Sequence, residues 1–140
     1  MIIDFSKIEE LKSVRENKYE LSKKEEELSK PVLDLKYMKT VYEIFSKISK
    51  NTNENRVIKR KKFIFIAMYL FSPVSLVNGK TQKGVRESIS SVLKMRSKSA
   101  VSNNLNDVVF QYKTYPCFRN DIDNLFSSII EELKLKGIVN

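Results

Sequence analysis

The chain has 140 residues, 41% of them apolar, and its 26 basic and 17 acidic side chains give a net charge of +9. That length is one ordinary domain, or a small domain with an extension, and carries enough apolar content for a core. Three glycines and three prolines are too few for an all-β chain, one cysteine forms no internal disulfide, and the lack of histidine leaves no His/Cys set for zinc.

Taken in chain order, residues 4–29 are expected to form a charged helix with a narrow apolar stripe of Phe5, Ile8, Leu11 and Val14. Beyond Glu16 the pattern thins to Tyr19, Leu21 and Leu28, compatible alike with a solvated helix, a coiled-coil strand or partial disorder. Pro31 marks a break or the first turn of the next helix. A second helix is predicted over 31–50, with Leu35, Met38, Val41, Tyr42, Phe45 and Ile48 inward. The loop-like KNTNEN (50–55) then divides an N-terminal helical extension, residues 1–50, from a C-terminal domain over 55–136.

The third helix, 55–71, starts basic and ends in FIFIAMYLF (63–71), apolar on every side, as a central core helix is; Tyr69 belongs to its packing. That run is well short of the roughly 20 residues that span a membrane. Ser72-Pro73 ends the helix, and the loop 72–84 contains Gly79-Lys80-Thr81. A P-loop needs a glycine five positions before Gly79, where this chain has Val74, so phosphate-cradling of that kind is excluded. A fourth helix (82–94) turns Val85, Ile89, Val92 and Leu93 inward. A fifth (98–112) buries Val101, Leu105, Val108, Val109 and Tyr112, and a sixth (120–134) buries Ile122, Leu125, Phe126, Ile129, Ile130 and Leu133. Cys117, beside Pro116 and Phe118, is expected to be a buried small residue. Asp121 and Asp123 are expected in the first turn of the sixth helix, facing its dipole rather than a metal. The fold class is therefore all-α, a helical bundle with an N-terminal helical extension.

The charge is concentrated. Between Asn55 and Lys98 there are eleven basic residues against the single acid Glu87, a net +10, while the remainder of the chain carries −1. Such confinement is the electrostatic footprint of a polyanion partner.

The fourth and fifth helices are separated only by MRS (95–97), the layout of a helix-turn-helix. With the apolar positions inward, Lys98, Ser99, Ser102, Asn103 and Asn106 face outward, and no acid precedes Asp107. Asparagine can bond adenine at two points and serine can pair with either strand, so this face suits base edges in a major groove. Ser97 or Ser99 also makes a good helix cap. Lys59, Arg60, Lys61, Lys62, Lys94, Arg96 and Lys98 are placed to hold phosphates or guanine, with Ser97 at the turn among the contact residues.

These residues carry a resemblance. Over roughly 56–135 the chain resembles the C-terminal DNA-binding domain of the bacterial replication initiator DnaA and the small DnaA-like proteins of phages and mobile elements. IAMYL (Ile66–Leu70) is similar to the pentapeptide of that family's first long helix. RSKSAV (Arg96–Val101) falls on its signature Arg-Asp-His-Thr/Ser-Thr-Val; VRESISSVL occupies the preceding helix, with Ser90 standing for a glycine; FRNDI leads into the last helix. The resemblance implies double-stranded DNA binding in the major groove. The signature's base-reading Asp, His and second Thr are replaced by Ser97, Lys98 and Ala100, which implies a target other than the usual initiator box. The 72–84 loop is longer than the family's. Ile64 stands where a minor-groove arginine is usual, a role that passes to Lys59–Lys62. The family's ATPase module is not part of this sequence.

The expected function is thus double-stranded DNA binding without ATP hydrolysis, in replication or transcriptional control of a phage or mobile element. Residues 1–50 would supply homodimerisation or partner docking, and the location would be the cytoplasm of a bacterium or infected cell. A second class is a helical interaction or assembly protein, such as a phage structural or accessory protein descended from such a domain. An enzyme is not expected, since no nucleophile has a base beside it, and neither cofactor, metal nor membrane is called for.

Overall fold

The computed structural model describes residues 5–140, so Asp4, where the first helix was expected to begin, lies outside the described residues. The chain divides into two compact units, 1–30 and 31–140. The first contains one helix, α1 (Ser6–Leu28), of 23 residues and no buried side chain. Its stripe of Phe5, Ile8, Leu11 and Val14 is between 55 and 66% exposed. Charges of opposite sign four residues apart, Lys12 with Glu16 and Glu20 with Lys24, favour the helix locally.

The second unit is an all-helical bundle of α2 (Met38–Ser49), α3 (Arg56–Phe71), α4 (Val85–Leu93), α5 (Lys98–Thr114) and α6 (Pro116–Leu135), with no strand among the described residues. Central in it is α3, which packs against all four of the others. Phe63, Ile64, Ile66, Ala67, Met68, Leu70 and Phe71 are no more than 1% exposed, Phe65 is partly buried, and Tyr69 reaches solvent, at 44%. Around this helix close Val101, Leu105 and Val108 of α5, Ile122, Ile129 and Leu133 of α6, and Val85, Ile89 and Leu93 of α4. Rings lock α2 to α3: Phe63 lies 5.3 Å from Tyr42 and 5.2 Å from Phe45 between centroids.

Besides α4, which begins at Val85 rather than at 82, three boundaries differ from expectation. The second helix starts seven residues late, because Val32 and Leu33 donate their N–H groups to the Leu70 carbonyl (2.8 and 3.1 Å) and hold the chain in a bend against the end of α3. Asp34 then accepts the Lys36 N–H at 3.0 Å and opens a 3-10 turn, Leu35–Tyr37. Because α2 buries Met38, Val41, Ile44 and Phe45 in the common core, the units divide after Lys30 rather than at 50–55. Finally, α6 begins at Pro116, only Tyr115 separating it from α5. Proline suits a first helical turn, where its missing N–H is not needed. That early start corrects two expectations. Cys117 sits exposed on the first turn, not buried, and Asp121 and Asp123 both lie beyond that turn.

The 72–84 loop contains a 3-10 turn, Pro73–Val77, braced by hydroxyls. Ser75 bridges Ser72 and Thr81, at 2.9 Å each, and Ser72 accepts the Gln82 N–H at 3.0 Å. Gly79 bonds to the Val74 carbonyl at 2.9 Å, and a Cβ there would collide with the Val74 side chain. Gly79-Lys80-Thr81 thus serves the loop's own packing.

Two helices end in the same hydrogen-bonded motif with different residues. At the end of α6, Gly137 takes a left-handed φ of 75°, with Gly137 N–H bonded to Lys134 O and Ile138 N–H to Leu133 O. At the end of α4 the same pair of bonds runs from Lys94 to Ser91 and from Met95 to Ser90, and the left-handed residue is Lys94, at φ 55°. A side chain in that region costs about 1 kcal/mol or more. Lys94→Gly should therefore raise stability by about 0.5–1 kcal/mol in urea or thermal unfolding; a fall in stability would mean that Lys94 makes a compensating contact.

Candidate nucleic-acid interface

Four residues, Lys94–Ser97, connect α4 to α5. Two contacts tie the helices together. Arg86 of α4 donates to the Ser102 hydroxyl at 3.0 Å, and Lys98 donates to the Glu87 carboxylate at 3.0 Å. The Lys98 hydrogen bond holds the Glu87 carboxyl below the usual carboxylate range, aided by a backbone bond. A depressed carboxyl pKa means that this pair supports the fold at neutral pH and stops doing so as acid titrates Glu87 through its lowered value.

Twelve residues were expected to touch DNA, and they separate into distinct groups. Ser97 is the α5 cap, its hydroxyl accepting the Ala100 N–H at 3.3 Å. Ser102 is part-buried and taken up by Arg86. Lys98 is paired with Glu87, both about half exposed. Ser99, Asn103 and Asn106 are exposed and form no side-chain hydrogen bond among the described residues; spaced i, i+4 and i+7, they lie along one line of α5. The line continues to Phe110, itself 60% exposed. Asn104 belongs elsewhere, since its amide donates to the Ala100 carbonyl at 2.8 Å. Arg96 stands exposed on the turn.

The basic run of α3 does not act as a unit. Successive residues on a helix point about 100° apart, so four in a row cannot share a face. Lys61 turns toward α5 and meets Asp107 at 3.8 Å. Lys62 turns inward, where it is 4% exposed and paired with Glu54 and, at 3.6 Å, with Asp121, its ammonium 5.6 Å from the Phe118 ring centre. The expectation that Lys62 grips phosphate is therefore corrected: it joins the approach to α3 to α6. Lys59 and Arg60 turn the other way. Together with Lys94 they line an open groove, which also receives Lys50 from the end of α2 and Arg56 from the start of α3. These last two were missed as site residues because they enter only through tertiary packing, Lys50 lying in the stretch assigned to partner docking.

At the opposite end of α5 the geometry is braced. Tyr112 donates to Asp123 at 2.8 Å, and its ring stacks on Phe65 at 4.4 Å. Burial, with that bond, raises the Tyr112 phenol above its ordinary value. Arg119 donates to the Tyr112 and Lys113 carbonyls, at 3.1 and 3.3 Å. Asp123 is thus occupied by Tyr112, and no group of three or more metal-binding side chains occurs among the described residues. No described helix is long and apolar enough to cross a membrane. No family model, curated protein or solved structure matches the chain.

Removing Lys62 tests its interior role. Lys62→Ala strands two carboxylates, both partly solvated, and should cost roughly 1–3 kcal/mol in urea unfolding, with Lys62→Met recovering part through its stem. Wild-type stability in Lys62→Ala would show that the ion pairs contribute nothing to the fold.

Proposed function

We propose that the chain is a double-stranded DNA-binding protein in which α4, the turn and α5 act as a helix-turn-helix, with α5 entering the major groove. The observation that carries this reading is the line of Ser99, Asn103 and Asn106: short, exposed, without side-chain hydrogen bonds among the described residues, and beginning beside Lys98. A solvated helix normally carries Lys and Glu at such positions, and asparagine is a mediocre helix former. A base edge gives those amides something to bond. Arg96 at the turn, with Lys59, Arg60 and Lys94, supplies the sequence-independent hold on phosphate. The resemblance of residues 56–135 to the DnaA DNA-binding domain points the same way. It suggests a role in replication or transcriptional control of a phage or mobile element, without ATP hydrolysis by this chain and with a target other than the initiator box.

A second reading, a helical interaction or assembly protein, draws on α1. A 23-residue helix with an exposed apolar stripe and no buried side chain is suited to a protein partner. Under the first reading the same helix provides dimerisation or docking, because a single recognition helix commonly works in pairs.

The deciding experiment selects bound duplexes of roughly 30 base pairs from a random pool at about 50 and 200 mM salt, then sequences them. A motif and a steep loss of affinity with salt are expected. Arg96→Ala should weaken binding to all sequences, and Asn103→Ala should relax the motif at one position. Glu87→Gln, which frees Lys98, should strengthen binding and steepen its salt dependence by up to about one unit. Absence of binding at about 50 mM salt would sink the reading and leave α1 as the working part.

A further inference from the structure

The groove between α2, α3 and α4 has a volume of about 450 Å³, and its cations are Lys50, Arg56, Lys59, Arg60 and Lys94. No carboxylate lines it. Three other cations of this unit are in ion pairs: Lys61 with Asp107, Lys62 with Glu54 and Asp121, Lys98 with Glu87. None of the five groove cations is in an ion pair among the described residues.

Two placements are unfavourable in the free protein. Arg56 and Lys59 occupy the first turn of α3, which holds no acid, so positive side chains face the positive end of a 16-residue helix. Lys94 holds a left-handed backbone at which, in the equivalent position after α6, the chain uses Gly137. An anion in the groove would relieve the crowding of charge at the helix start, and it gives a reason for a lysine in a glycine position. The groove is open to solvent, and Phe45 and Leu93 of its lining belong to the core. Five spread cations around an open channel suit successive phosphates better than one enclosed phosphate. Lys94 is two residues from Arg96, so the groove continues directly from the turn.

We infer that the α2–α3–α4 groove is a second phosphate-binding surface, holding the DNA backbone that flanks the segment read by α5. The inference rests on the DNA-binding reading and enlarges its footprint onto α2, through Lys50, and onto the first residue of α3, Arg56. Both side chains are exposed and neither takes part in the core.

The test uses the full chain and the selected site carried on a short duplex and on one extended by about a helical turn at each end. Wild type should bind the extended duplex more tightly. The double variant Lys50→Gln/Arg56→Gln should lose that gain and lower the slope of log affinity against log salt by about two units, close to one for each contact removed. Lys94→Gly supplies a control that misfolding cannot imitate, being expected to raise the melting temperature while lowering the slope by about one unit. If the double variant keeps both the flank gain and the slope while Arg96→Ala still weakens binding, the groove inference is overturned and the DNA reading stands. If wild type binds no duplex, both fall.

Discussion

Between Phe63 and Phe71 of α3 only Tyr69 is exposed and only Phe65 is partly covered, so every other helix of the second unit must be laid against some side of this one. At roughly 25 cal/mol per Å² of apolar surface, burying such a helix is the dominant favourable term in the unit. The demand also shapes the charge. The helix begins Arg56-Val57-Ile58-Lys59-Arg60-Lys61-Lys62 and turns apolar at once, so its last cation is drawn into the interior and satisfied there by Glu54 and Asp121. Three of its other cations are turned toward the α2–α4 side, and Lys61 toward α5.

Much of this arrangement was legible in the residues. The apolar spacings of α2, α4, α5 and α6 identified their inward faces, because a helix that must bury one side shows it at every third or fourth position. Ile44 of α2 was overlooked, though it is as buried as its neighbours. The late start of α2 was not readable, since it depends on Val32 and Leu33 reaching the Leu70 carbonyl, a bond between segments far apart in the chain. The early start of α6 had a signal, Pro116 at the first helical position, but Cys117 to Asp121 carry too little apolar pattern to extend the helix back to it. Misplacing that start misplaced Cys117, Asp121 and Asp123 with it.

The candidate interface divides along the same line. Ser99, Asn103 and Asn106 follow from helical spacing alone, and the structure leaves them outward. Ser102 satisfies the same spacing argument but is engaged by Arg86, and Ser97, at the turn, is engaged as a cap, since short hydroxyls readily find partners within the protein. The groove was invisible as a groove. Its cations come from three helices with up to 44 positions between Lys50 and Lys94, and nothing in a linear reading brings those ends together. Conversely, the four-residue basic run that looked like a single patch is dispersed by the turn of the helix.

The junction of α5 and α6 bears on how the protein would meet a partner. A single residue, Tyr115, joins two long helices, and the corner is fastened by Arg119 on two carbonyls and by Tyr112 on Asp123. Such a corner has almost no slack, so α5 cannot swing without carrying α6 and the core side chains Ile122, Ile129 and Leu133 along. The exposed line of α5 is therefore presented in a set orientation before any encounter. Little disorder has to be removed on contact, and a surface of that kind discriminates by fit rather than by moulding itself to whatever it meets.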